Sequence, residues 1–167
     1  MEIVTRMMDG SLPYHVRDAR PPAPGSPIRQ DDKIEYLQRV PIFEGCSGRQ
    51  LRALARIAEV LEEPEGKILT RAGEPGTEFF VIVDGTARAE VSAEKQVRLG
   101  PGDFFGEMSL LDGGPRSATV VAETAIRLLV IDRRNFWTLL AGVPRLTHTL
   151  LVTLSRRVRQ AEQSLHS

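Results

Sequence analysis

The sequence predicts a mainly β domain, an antiparallel sandwich or barrel, flanked by helices at both ends. Three observations predict it. Between residues 62 and 131, short apolar runs alternate with glycine turns. On either side the apolar spacing changes to that of helices. Strands of this length with turns at this spacing are the pattern of an antiparallel β fold, and the period change marks its limits. At 167 residues the chain is long enough for one domain with a core and short for two.

The elements follow in order. Residues 1–30 hold Pro13, Pro21, Pro22, Pro24 and Pro27, mixed with Arg, Asp and Gly, and are expected to form a flexible Pro-rich segment. The domain is expected over residues 31–167. Asp31 or Asp32 is placed to cap a helix carrying Ile34, Leu37 and Val40, which Pro41 ends. Ser47 and Gln50 have capping-box spacing. The helix after them sets Leu51, Leu54, Ile57 or Ala58, and Leu61 on one face. Strands are expected at residues 67–70, 78–83, 86–91, 97–99, 117–122 and 126–131. Asp84-Gly85 is the strongest short hairpin signal in the chain. Asp132 then caps a short helix with Phe136 and Trp137, broken by Gly142 and Pro144. The last helix, from Pro144 toward Gln163, carries Leu146, Leu150, Leu151, Leu154, Val158 and Ala161 as an apolar stripe.

Composition removes several functions. Lys plus Arg, 22, equals Asp plus Glu, 22, so the chain lacks the basic excess of a nucleic-acid binder. No apolar run reaches the roughly 18 residues of a membrane span, and no secretory signal is present, so a cytoplasmic location is expected. Cys46 is the only cysteine and excludes an internal disulfide or a cysteine-rich metal site. His15, His148 and His166 all lie outside the expected strands, so no metal site inside a barrel is expected. There is no P-loop, and Gly100-Pro101-Gly102 fails the dinucleotide pattern because residue 105 is Phe. An enzyme is therefore not expected, and neither is a cofactor.

The chemistry concentrates in residues 104–122, FFGEMSLLDGGPRSATVVA. Gly106 precedes a helical turn, expected from Met108, whose leading amides can hold an anion. Gly113-Gly114-Pro115 returns the chain, and Arg116 can grip two oxygens of a phosphate. Glu107 cannot, because like charges repel; a pair of hydroxyls is its natural partner. On this chemistry alone a Glu107–Arg116 salt bridge across the turn stays open beside the ligand reading. On a strand Ser117 and Thr119 face away from Arg116 and Ala118.

The residues Phe105-Gly106-Glu107-Met108-Ser109-Leu110, then Pro115-Arg116-Ser117-Ala118-Thr119-Val120, closely resemble the phosphate-binding cassette of cyclic nucleotide-binding domains. Such domains occur in bacterial catabolite activator proteins, protein kinase A regulatory subunits and cyclic nucleotide-gated channels. The resemblance runs from about Asp31 to Gln163 and includes the turns at Gly66, Gly73, Gly85 and Gly102-Asp103. It implies an antiparallel β-roll of eight strands, of the double-stranded β-helix or jelly-roll type, with N-terminal and C-terminal helices. It implies that Glu107 accepts from the ribose 2′-hydroxyl and that Arg116 holds the cyclic phosphate. Gly106, Met108 and the amides of Ser109, Ser117 and Ala118 complete the ligand set. Arg157, Val158 and Ala161 are candidates for a lid over the base. Ser117 stands where cGMP-preferring members often have threonine, so cAMP is the favoured ligand and cGMP the alternative. The chain stops at Ser167 without the helix-turn-helix of the DNA-binding members. The expectation is a sensor domain standing alone, signalling by its C-terminal helices to an effector protein of unknown identity. The last helix also offers a pairing face for a homodimer, as in the catabolite activator family. The competing expectation is a protein-interaction module whose nucleotide pocket is degenerate or unoccupied.

Overall fold

The structure is a computed structural model, and it describes residues 30–40 and 43–165. The flexible segment expected over residues 1–30 lies outside the described residues apart from Gln30, and Pro41 lies outside them as well. Helix α1 spans Gln30–Gln38 and α2 spans Gly48–Ile57. Eight strands, β1 to β8, follow: Glu59–Glu63, Ile68–Thr70, Glu78–Asp84, Ala87–Glu90, Gln96–Leu99, Phe104–Phe105, Thr119–Ala122 and Ile126–Asp132. Helix α3, Glu107–Asp112, sits between β6 and β7, and α4 (Arg133–Gly142) and α5 (Pro144–Leu165) close the chain.

The strands form two four-stranded sheets, β1-β8-β3-β6 and β2-β7-β4-β5, with every described pairing antiparallel. This is the expected β-roll with helices at both ends. The first sheet is buried on both faces, which is why its central strands read as unbroken apolar runs rather than alternating ones. Phe80, Ile82, Leu128 and Val130 face the second sheet and pack with Ala87, Ala89, Val120 and Ala122. Phe79, Val81, Leu129 and Ile131 face the helices and pack with Leu37, Leu54, Phe136 and Leu146. Phe79 lies 5.1 Å from Phe136 and 5.5 Å from Phe104, joining β3, β6 and α4.

Local signals hold at several places. Ser47 and Gln50 make the capping box of α2 in both directions, and the Asp132 side chain accepts from the Asn135 amide to start α4. Helix α1 begins at Gln30, so Asp31 and Asp32 fall inside its first turn instead of capping it. Lys33 of α1 donates to the Ala55 and Ala58 carbonyls, placing a cation on the carbonyl end of α2. Burial pushes the Cys46 thiol up from its ordinary range, with Arg145 pulling the other way.

Two further expectations are corrected. The second helix does not reach Leu61: it stops at Ile57, and Glu59–Glu63 is a strand paired with β8. Leu61 has helical spacing from Leu54, but the strand register with Leu128 turns it onto the roll's core instead. The second correction concerns Asp84-Gly85, which is no hairpin turn. Strands β3 and β4 lie in different sheets, and this corner carries the chain between them. Gly85 has φ +85°, and a Cβ there would stand 2.3 Å from the Ala125 carbonyl. Alternation of Ala87 and Ala89 into the core draws β4 to the second sheet, where the hairpin is β4–β5.

Candidate functional site

The site is built where β6 runs into α3 and β7 begins beside it. Gly106 is the N-cap of α3, with φ 93°, a backbone that favours glycine. A Cβ at Gly106 would stand 2.7 Å from Arg116 Nη1 and 2.8 Å from the Glu78 carbonyl oxygen. The helix opens with Glu107, one residue before the expected start, and ends at Gly113, φ 71°, whose amide donates to the Ser109 carbonyl.

Arg116 returns into this gap and is 5% exposed. Its main chain is pinned on both sides: its amide donates to the Glu74 carbonyl, and its carbonyl accepts from the Gly73 amide. Its guanidinium donates to the Gly106 carbonyl at 3.0 Å and to the Glu78 carbonyl at 2.8 Å, and lies 5.7 Å from the centre of the Phe80 ring. Phe80 stacks on Phe105 at 4.8 Å, so the roll's core forms the floor beneath the cation. Gly76 forms the other wall, where a Cβ would come within 2.1 Å of Arg116 Nε. Arg116 thus lies in a slot that two glycines leave open. We expect Gly76→Ala to displace the guanidinium and lower the thermal midpoint, an outcome that calorimetric melting checks; an unchanged midpoint would show that the slot has room.

Glu107 is 1% exposed, and its Oε1 accepts from Nη1 of Arg157 at 3.1 Å. Arg157, on α5, is itself buried. A buried carboxylate at the head of the cassette helix is therefore bonded directly to the C-terminal helix. Of the three lid candidates, Arg157 reaches the cassette, while Val158 and Ala161 lie on exposed positions of α5. Ser109 is fully buried and Met108 half-buried on α3. Ala118 is buried like Arg116, whereas Ser117 and Thr119 are half-buried; the strand expected from residue 117 starts at Thr119, so this alternation begins ahead of β7. The Thr119 hydroxyl accepts from the Ala72 amide at 3.0 Å, and the Thr70 hydroxyl donates to the Ala118 carbonyl at 3.1 Å. These two bonds tie the start of β7 to the end of β2 and to the loop after it, which carries Gly73 and Gly76.

Sequence reasoning read Gly76 only as part of a turn and Arg133 only as the start of a helix. The structure brings both to the site: Arg133 Nη2 donates to the Ser109 carbonyl at 3.0 Å and to the Gly76 carbonyl at 3.3 Å. A signal for Arg133 does exist. A cation in the first turn of a helix opposes the helix dipole, so a tertiary partner is to be looked for.

Chemically, the arrangement offers a buried guanidinium held on the Gly106 carbonyl, with a buried carboxylate on the residue that follows Gly106. It suits a ligand that carries an anionic group and hydroxyl donors a short distance apart. The comparisons with known proteins agree with that chemistry. Residues 61–142 match the model of the family described as the cyclic nucleotide-binding domain. A cyclic nucleotide-gated potassium channel of Mesorhizobium japonicum is 36% identical over 133 residues, covering 78% of this chain and 37% of the channel. A CRP-like cAMP-activated global transcriptional regulator of Mycobacterium tuberculosis is 32% identical over 136 residues, covering 78% of this chain and 61% of the regulator. The crystal structure of Thermus thermophilus catabolite activator protein superposes with a TM-score of 0.68 at 31% identity, covering 75% of this chain and 62% of that one. The chain carries a domain of the cyclic nucleotide-binding family over residues 61–142. It spans only 37% and 61% of the two relatives named first.

Proposed function

We propose that this domain binds a cyclic nucleotide, cAMP in preference to cGMP, and acts as a regulatory domain that answers through its C-terminal helices. The observation that carries this reading is the buried bond between Glu107 and Arg157, which ties the cassette to α5. In the proposed complex the cyclic phosphate meets Arg116 and the amides around Gly106, Ser109, Ser117 and Ala118. The ribose hydroxyl donates to Glu107. The new donor changes the partners that the carboxylate shares with Arg157, and α5 shifts relative to the roll. A ligand produces such a shift only by binding one arrangement more tightly than the other. The cAMP preference is supported by the name of the cAMP-activated Mycobacterium tuberculosis relative and by Ser117 after the arginine.

Calorimetric titration of the full chain with cAMP and with cGMP tests the reading. Saturable binding, tighter for cAMP, is the expected result. No heat and no thermal shift with either nucleotide at millimolar concentration would overturn it and leave a protein-interaction module.

The outer side of α5 supports a second element of the proposal, a homodimer. Leu151, Val158 and Leu165 are 62%, 57% and 83% exposed. They are spaced by seven residues, and half-buried Leu154 fills the position between the first two. That is the seven-residue spacing a coiled-coil seam uses, on an exposed apolar face. Sedimentation of the full chain is expected to give a dimer, and Leu151→Glu with Val158→Glu a monomer. A wild-type monomer with and without nucleotide would remove the homodimer.

A further inference from the structure

We infer that Arg133 is a positioning residue for the phosphate side of this site, acting through Arg116; this rests on the nucleotide reading above. Arg133 is the first residue of α4, directly after the Asp132 cap, and the first turn of that helix contains no acidic residue. A cation at this end of a helix is unfavourable by itself. The structure gives it a compensating role. One nitrogen, Nη2, bonds the Ser109 carbonyl on the cassette helix and the Gly76 carbonyl on the loop before β3. The Arg133 amide also donates to the Thr77 carbonyl at 2.9 Å, next to Gly76 in the chain.

The groups it joins are the two sides of the slot. Gly76 leaves room for the Arg116 side chain on one side, where a Cβ would collide with it, and α3 presents Gly106 on the other. Arg133 thus sets the distance between them without having to contact the ligand. Trp137, one turn further along α4, donates Nε1 to the Leu110 carbonyl at 3.1 Å. Helix α4 therefore holds two successive carbonyls near the end of α3, Ser109 by Arg133 and Leu110 by Trp137. Of these two side chains, Arg133 is the one with a bond to the Gly76 loop. With Arg133 gone, loop and cassette can part, and the bonds aligning Arg116 with the Gly106 and Glu78 carbonyls lose their frame.

The test is a double-mutant cycle on the full chain, titrated calorimetrically with cAMP and with cGMP, with thermal midpoints measured in parallel. Arg133→Met is expected to weaken nucleotide binding about tenfold in the wild-type background and less than about twofold beside Arg116→Lys, since residues acting through one another are not additive. Arg133→Lys keeps the charge but on a shorter side chain that does not carry a nitrogen to the Nη2 position bridging the two carbonyls; it is expected to lose about threefold, again only when Arg116 is present, and it carries the test if Arg133→Met does not fold. A purely structural role would lower the midpoint equally in both backgrounds with no coupling in affinity, and that result overturns the inference. So does wild-type affinity in Arg133→Met or Arg133→Lys. A wild-type chain that binds neither nucleotide overturns this inference together with the nucleotide reading, whereas binding without coupling overturns this one alone.

Discussion

Replacing Arg116 with alanine is expected to weaken cyclic nucleotide binding by tenfold or more. A charge-assisted hydrogen bond contributes about 1.5–3 kcal/mol, and its loss corresponds to roughly a 10- to 150-fold change in affinity. The guanidinium is positioned before any ligand arrives, by the Gly106 and Glu78 carbonyls and the Phe80 ring, so little ordering has to accompany binding. The same variant removes a donor from each of those carbonyls, and a lower thermal midpoint is expected along with the weaker binding. Arg116→Lys supplies a point charge without the planar fork and should fall between alanine and wild type. Calorimetric titration measures all three proteins. Unchanged affinity in Arg116→Ala would take the phosphate away from this residue, whatever happens to the midpoint.

The second large effect is expected in stability. Arg157→Ala removes the guanidinium that donates to Glu107 Oε1 from a site where the carboxylate is 1% exposed. Breaking a buried ion pair from one side costs about 3–5 kcal/mol, because the remaining charge stays out of water. We expect a loss near the lower end, about 3 kcal/mol, read from chemical denaturation. Arg157→Met combined with Glu107→Gln should cost less than the sum of the two single changes, since the pair is removed together. A denaturation midpoint for Arg157→Ala equal to wild type would show that the pair holds nothing in place. It would also remove the link on which the proposed response of α5 depends.

Particular residues show how far the sequence could be read. The two ends of the cassette, Gly106-Glu107 and Pro115-Arg116-Ser117, were legible because their chemistry is local: a glycine before a helix, a turn, and a returning arginine. The caps at Ser47 and Asp132 were legible for the same reason. Leu61 was misread because apolar residues at 51, 54, 57 and 61 satisfy a helical period as well as a short strand does. Its place was decided by pairing with Leu128, a residue far along the chain. Asp84-Gly85 carries the sequence of a tight hairpin turn, but whether a turn joins neighbours in one sheet or crosses to another depends on which strands the next segment pairs with. Gly76 gave no sign of standing against Arg116, since only the closed roll brings them together.

By itself, then, the sequence determined the mainly β class, its flanking helices, and a cassette with one carboxylate and one guanidinium, because periodicity, turn chemistry and charge act over a few residues. Tertiary structure alone decided where those charges are held. It placed Arg116 between Gly76 and Gly106 on Phe80, brought Arg157 of α5 onto Glu107, and set Arg133 across the slot. The physical reason is that a buried charge needs partners from wherever the fold can supply them. Here Glu107 finds one 50 residues further along the chain, a distance at which no local pattern shows.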